Sequence, residues 1–235
     1  MLRYYHHMSA KEKKETAINR EGFTTLLVTA AVLAVINIVL FIPGIYGIGS
    51  WIFLAVSLIV FLLLLNFFRN PCRHFPSDDR DKVVVASADG VIVAIEEVDE
   101  TEYFHDRRIL VSTFMNLFDV HANWYPVNGT VRKISHQEGS FHAADKPKSS
   151  TENERSMVVI ETEDGQEVMV RQIAGLMARR IVTYPSVGDK CRIDQHLGFI
   201  KLGSRVDIYL PLGSLVCVKM DEKVKADLTI LAKLP

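Results

Sequence analysis

From Gly22 to Phe68 the chain carries no Asp, Glu, Lys or Arg, although 23% of the whole sequence is charged. An uncharged stretch of that length constrains the fold more than any motif, because only lipid or a large apolar core can accommodate it. Within it, Phe23 to Ile42 and Trp51 to Phe68 each come close to the ~20 residues that span ~30 Å of hydrocarbon. Between them "PGIYGIGS" holds Pro43, Gly44, Gly47 and Gly49, which break a helix, while Tyr46 and Trp51 suit a headgroup layer. The expectation is a transmembrane helical hairpin over residues 22–68. A cleaved signal peptide would show a small-residue cleavage pattern after the first run, whereas a second apolar run follows at once. Arg3, Lys11, Lys13, Lys14 and Arg20 precede the hairpin, Arg69, Arg73, Arg80 and Lys82 follow it, and the connecting loop is uncharged. The positive-inside rule then places both ends on the cytoplasmic side of the cell (inner) membrane. The organisation expected is an N-terminal tail over 1–21, the hairpin, a linker over 69–82 and a cytoplasm-facing domain over 83–235.

After "NPCRHFPSDDR" the pattern changes to short apolar or alternating runs punctuated by turn residues, which is how β structure reads. "KVVVAS" and "VIVAIEEV" flank Ala88-Asp89-Gly90 and are expected to form two strands joined at a tight turn. Further strands are expected at "RRILVSTFM", "GTVRKIS", "SMVVIET", "QEVMVRQI", "CRI", "GFIKL", "RVDIYLP" and "SLVCVKM", with one short helix in "QIAGLMARRIV". The predicted fold is therefore mainly β, a sandwich or barrel-like domain with few short helices. Twenty-seven basic and 28 acidic residues nearly cancel, so no nucleic-acid partner is indicated. Cys72, Cys191 and Cys217 are widely spaced and form no C-x-x-C, which suits a reducing compartment rather than a disulfide framework or zinc. Neither a glycine-rich phosphate loop nor a metal-ligand spacing occurs, so neither a nucleotide nor a metal is expected.

Histidine is the natural place to look for an acid or base near neutrality. His6 and His7 lie in the tail and His74 in the linker, while His105, His136, His142 and His196 read as turn positions. His121, in "NLFDVHANWYPVNG", differs: Asp119 stands two residues before it, on the same face of a strand, and Asn-Trp-Tyr-Pro reads as a loop leading away. "SSTENERS", residues 149–156, reads as a charged surface loop. Arg179, Arg180, Lys146 and Lys148 read as cations available to anionic headgroups. One oddity is left in "GFIKLGSRVDIYLP", where Gly203-Ser204 interrupts a strand pattern. Glycine weakens a strand interior and asks for a reason. A hydrolase nucleophile would sit in G-x-S-x-G at a strand-to-helix turn, which this is not. Two readings stay open: a β-bulge, or a site where the Ser204 hydroxyl attacks the accessible carbonyl of Gly203.

"SADGVI", "FDVHANWYPVNG", "SSTENERS...RQIAGLMARRIV" and "KLGSRVDIYLP", taken together in this order, resemble the phosphatidylserine decarboxylase family in its short bacterial form with an N-terminal hydrophobic hairpin. The resemblance implies a proenzyme that cuts itself between Gly203 and Ser204 into a β chain (1–203) and an α chain (204–235), which stay together as a heterodimer. It implies that Ser204 becomes a covalent pyruvoyl group, which forms a Schiff base with the amine of membrane phosphatidylserine. That group accepts the electrons released with CO2, and the product is phosphatidylethanolamine. His121 is then the implied acid for the former α-carbon. Asp89 is implied in self-processing and Asp119 in orienting the histidine. Longer members carry H-x-x-H and assign its second histidine to cleavage, a slot filled here by Trp124. Either His121 serves both steps or the base comes from elsewhere, Asp89 included. A homodimer is implied by analogy. A related serine-headgroup lipid is the rival substrate, and a tethered β module without catalysis is the rival from outside enzymes.

Overall fold

The computed structural model describes residues 17–42, 45–77, 80, 82–139, 153–175, 180–201 and 204–235. The chain divides into two compact units, residues 1–72 and 73–235.

In the first unit, helix α1 (Phe23–Leu40) and helix α2 (Ile48–Phe67) are apolar on every side. Only Leu26 of α1 and Ser50, Ser57 and Phe67 of α2 are buried. Both helices are long and apolar enough to cross a membrane, and their apolar surface faces outward, the reverse of a soluble core helix. Polar groups join them: Asn37 Nδ2 donates to Ser57 Oγ at 3.1 Å and Ser50 Oγ to the Leu40 carbonyl at 2.7 Å. In hydrocarbon such interhelical bonds contribute roughly 0.6–2 kcal/mol each. At the open end the Asn19 N–H donates to the Phe68 carbonyl and the Asn70 N–H to the Ala17 carbonyl, both at 2.8 Å.

The second unit is built of strands, in chain order β1 (Val83–Val85), β2 (Gly90–Glu100), β3 (Asp106–Met115), β4 (Ala122–Trp124), β5 (Gly129–Gln137), β6 (Arg155–Glu161) and β7 (Glu167–Ile173). These are followed by β8 (Ile181–Thr183), β9 (Lys190–Cys191), β10 (His196–Ile200), β11 (Ser204–Leu210), β12 (Leu215–Val216), β13 (Lys223–Val224) and β14 (Ile230–Lys233). An eight-stranded sheet in the order β13-β2-β3-β11-β7-β6-β5-β9 curls into a half-barrel, accompanied by three-stranded sheets β4-β10-β8 and β1-β14-β12. Strand β11 lies near the middle, laddered to β3 on one side and β7 on the other. Alternation gives it two faces. Val206, Ile208 and Leu210 join Val111, Val158 and Val170 in the main core, which Leu197 and Ile200 of β10 complete.

The mainly β expectation holds, as a half-barrel sheet with two small sheets rather than a closed barrel. One local expectation fails. β1 and β2 do not form a hairpin, because β1 pairs with β14 and β2 with β3 and β13. The Asp89-Gly90 turn carries the chain from one sheet to another. Gly90 allows this because a Cβ there would overlap the Phe114 carbonyl of β3. Of "QIAGLMARRIV", expected to hold one short helix, Gln172 and Ile173 end β7 and Ile181 opens β8. Gln172 and Ile173 pair with Val206 and Arg205 of β11. Residues 176–179 lie outside the described ones.

Candidate active site

Ser204 opens β11 and is fully buried. Its neighbour across the ladder is Met115, the last residue of β3, and its Oγ donates to the Met115 sulfur at 3.3 Å. Val91 pairs with Phe114 and Ser204 with the next residue, Met115, so the starts of β2 and β11 lie at the same end of β3. Asp89 therefore stands at the same end of the sheet as Ser204. Gly203 lies outside the described residues.

His121 is fully buried one residue before β4, and its carbonyl accepts the Ile200 N–H at 3.1 Å. Asp119 does not share a strand with it; residues 116–119 form a tight turn. The Asp119 carboxylate accepts the Asn116 N–H at 2.8 Å, and the Asp119 carbonyl faces His121 Nδ1 at 3.0 Å. A carbonyl only accepts, so Nδ1 carries a hydrogen and donates it to the Asp119 carbonyl. Asp119 thus orients the imidazole through its backbone. The segment after His121 is not a loop but strand β4, with Ala122, Asn123 and Trp124 all buried.

Both carboxylate oxygens of Asp89 meet the Arg73 guanidinium, Oδ2 at 2.8 Å from Nη2, and Oδ1 also accepts the Ala226 N–H at 2.9 Å. The same guanidinium lies 5.2 Å from the centre of the Trp124 ring. On that ring packs His196, at 4.6 Å between centroids. His196 is therefore the first residue of β10 rather than part of a turn, and an imidazole from another strand flanks the Trp124 slot. Beside Ala226, Asp227 is fully buried and its Oδ1 accepts the Asp194 N–H at 2.9 Å. Asp194 in turn accepts the Phe75 N–H at 2.7 Å and meets Arg80 at 2.6 Å. Burial, with the charge of Asp194, raises the Asp227 carboxyl to about 7 against the opposing Asp194 N–H. Two arginines counted among the positive charges that follow the hairpin, Arg73 and Arg80, are bound by carboxylates of the β unit.

The surface reading of "SSTENERS" fails for its described half. Asn153 and Glu154 are buried, with Asn153 Nδ2 donating to the Ala174 carbonyl at 2.6 Å and Glu154 Oε1 accepting the Ile181 N–H at 3.2 Å. Arg180 is exposed, whereas Arg179, Lys146, Lys148 and His142 lie outside the described residues. Sequence reasoning missed Arg73, Met115, Asn123 and Gln172. Asn123 offered one signal, a polar residue two positions from His121 in a segment that proves to be a buried strand.

The sequence profile of the phosphatidylserine decarboxylase family matches residues 60–232, which span Asp89, Asp119, His121 and Ser204. The chain belongs to that family. Phosphatidylserine decarboxylase proenzymes of Phocaeicola vulgatus and Bacteroides fragilis are each 56% identical to it over 224 residues, covering 95% of this chain and 98% of theirs. The proenzyme of Cytophaga hutchinsonii is 40% identical over 218 residues, covering 92% of this chain and 98% of its own. The likeness thus runs through the hairpin and the β unit alike, and the expected resemblance holds along nearly the whole length. Membership of the decarboxylase family makes the chain an enzyme.

Proposed function

We propose that this chain converts phosphatidylserine to phosphatidylethanolamine with a pyruvoyl group made from Ser204 when the Gly203–Ser204 bond breaks. The observation that carries this reading is the burial of Ser204 at the head of a central strand, in a chain more than half identical to proteins named as proenzymes. A surface serine would be an ordinary turn residue. A buried one at a strand start, on a thioether instead of a good acceptor, is held for chemistry. The ladder explains how a cut chain stays whole. β11 is bonded to β3 from Ser204 onward and to β7 from Arg205 onward, while β13 and β14 pair with β2 and β1. Residues 204–235 would remain in place as an α chain bound to its β chain.

The Ser204 position fits a small covalent group: it is fully buried, as are Met115, on which its Oγ rests, and Asn123, which reaches the same sulfur. A pyruvoyl group supplies a ketone that takes up a primary amine and, through the adjoining amide carbonyl, the electron pair left by CO2. His121 holds or moves a proton at Nε2, its ring fixed by the Asp119 carbonyl. Asp89 is a positioning residue, with both oxygens held by Arg73 and the Ala226 N–H. The hairpin of α1 and α2 anchors the enzyme in the cell membrane with the β unit on the cytoplasmic side. Such an anchor has a clear use, because withdrawing a two-chain lipid costs ~0.8 kcal/mol per CH2.

Intact mass and N-terminal sequencing of the purified full chain test the reading. The expected result is a C-terminal piece starting at residue 204 with a blocked, borohydride-reducible terminus, CO2 release from phosphatidylserine vesicles, and neither in Ser204→Ala. An uncut wild-type chain that releases no CO2 from such vesicles overturns it.

A further inference from the structure

Behind Ser204 four side-chain hydrogen bonds run in series. Ser156 Oγ meets Thr183 Oγ1 at 2.6 Å, Thr183 Oγ1 donates to Gln172 Oε1 at 3.0 Å, Gln172 Nε2 donates to Asn123 Oδ1 at 2.7 Å, and Asn123 Nδ2 points to the Met115 sulfur at 3.9 Å. Every step crosses between sheets: Ser156, Gln172 and Met115 belong to the half-barrel, Thr183 and Asn123 to the sheet β4-β10-β8. The direction is forced. A thioether cannot donate, so Asn123 presents Nδ2 to it and turns Oδ1 toward Gln172. Thr183 has one hydrogen, already given to Gln172, so Ser156 must donate to Thr183. All four donors therefore point toward one sulfur, the same atom that receives the Ser204 hydroxyl.

A buried chain of good donors that ends on a weak acceptor leaves its last member poorly satisfied. Among the described residues Asn123 Nδ2 has no other acceptor, and Asn123 and Gln172 are fully buried. Room for the Gln172 amide comes from Gly198 of β10, where a Cβ would lie 2.8 Å from Gln172 Nε2. Bonds polarised head to tail strengthen the terminal donor.

Building on the self-cleavage reading above, we infer that Asn123 donates to the Ser204 oxygen during chain cleavage and that Gln172 and Thr183 position it. In the first step Oγ attacks the Gly203 carbonyl carbon, the C–N bond breaks, and the hydroxyl proton passes by way of the base to the Ser204 nitrogen, giving an ester. In the second the base takes the Ser204 Cα proton, that pair forms the Cα=Cβ bond, and the Cβ–Oγ bond breaks with its pair kept on Oγ, now part of the Gly203 carboxylate. Negative charge thus gathers on Oγ beside the Met115 sulfur, within the turn of an amide already aimed there. A single preorganised donor of this kind is worth about 10²–10³-fold in rate.

The test follows self-cleavage in full-length Asn123→Asp, which keeps the shape and removes the donor, and in Gln172→Met, which keeps the volume and breaks the chain one bond back. Spontaneous release of the 204–235 piece is expected to slow about a hundredfold in Asn123→Asp and about tenfold in Gln172→Met, with thermal unfolding close to wild type. Hydroxylamine should then liberate a 204–235 piece bearing an ordinary serine terminus, because it traps the ester that elimination no longer drains. A folded Asn123→Asp chain that cleaves at the wild-type rate overturns the inference. Should Asn123→Asp not fold, Gln172→Met decides: slow, hydroxylamine-rescued cleavage supports the inference and wild-type cleavage ends it. If neither folds, the chain of bonds is a structural pin and the inference falls. A wild-type chain that never cleaves would instead sink the functional reading on which this rests.

Discussion

The two faces of β11 are both buried and both carry polar residues, yet they are built on opposite principles. On one, Ser204 rests on the thioether of Met115, at the head of a series of amides and hydroxyls from Asn123 to Ser156. On the other, Arg205 meets Asp207 at 2.8 Å, and Arg171 reaches the Tyr209 hydroxyl at 2.6 Å, Glu100 at 3.0 Å and Glu102 at 3.1 Å, with Arg155 closing on Glu102 at 2.8 Å. Burial pushes the Glu100 carboxyl upward, but the N–H groups of Phe104, Glu102 and Tyr103, with Arg171, hold it below the usual carboxylate range. The charged face answers each charge with its opposite and fixes the strands. On the neutral face the donors line up beside an uncharged serine, where under the proposed cleavage charge would arise only transiently. A standing charge beside Ser204 would need a permanent counterion, whereas aligned neutral donors respond to a transient one.

The sharpest way to break this contrast is to remove the buried imidazole proposed to act with Ser204. His121→Ala should lower phosphatidylserine decarboxylation by about 10²–10⁴-fold, read as CO2 release, with the heat of unfolding measured alongside. The fate of the 204–235 piece in that variant decides whether one imidazole also serves cleavage: an uncut chain means that it does. Next, Arg171→Ala on the charged face leaves Glu100 buried without its partner and should cost about 3–5 kcal/mol in urea unfolding. Cleavage in the folded fraction should persist, and selective loss of cleavage would erase the division between the faces.

Asp227→Asn probes the support behind Asp89 through pH. The folded-state value of Asp227 lies above its unfolded one, so its contribution to stability is complete below about pH 4 and disappears as pH rises through about 7. Asparagine keeps a neutral amide there. The variant should therefore gain on wild type between pH 5 and pH 8 by on the order of 1–3 kcal/mol, measured as the change in their stability difference. Equal pH profiles would show that Asp227 is ionised throughout. The smallest effect belongs to Asp119→Asn, because the carbonyl that orients His121 is retained and the bond from the Asn116 N–H is altered. About 0.5–1.5 kcal/mol is expected from unfolding, with an unshifted pH–rate profile.

The hairpin was legible because membrane compatibility is a property of one continuous segment, and Gly22 to Phe68 carries it in composition alone. The β class was legible for a similar reason, through alternation and turn residues. The Gly203-Ser204 pair and His121 stood out as local departures from pattern. Other features misled. The Asp89-Gly90 turn looked like a hairpin because its dipeptide says only that the chain bends, not which strand it will pair with next. Asn153 and Glu154 looked like surface because polarity predicts exposure unless partners exist, and theirs are Ala174 and Ile181, brought beside them by sheet pairing.

Composition and order along the chain determined that this protein has an apolar hairpin, a mainly β body and an unusual Gly-Ser step. Only the tertiary structure decided that Ser204 rests on the sulfur of Met115, that Arg73 clasps Asp89, and that Ser156, Thr183, Gln172 and Asn123 line up toward a single point. Those relations join residues far apart in sequence across separate sheets, and a hydrogen bond depends on distance and direction in space, which spacing along a chain does not encode.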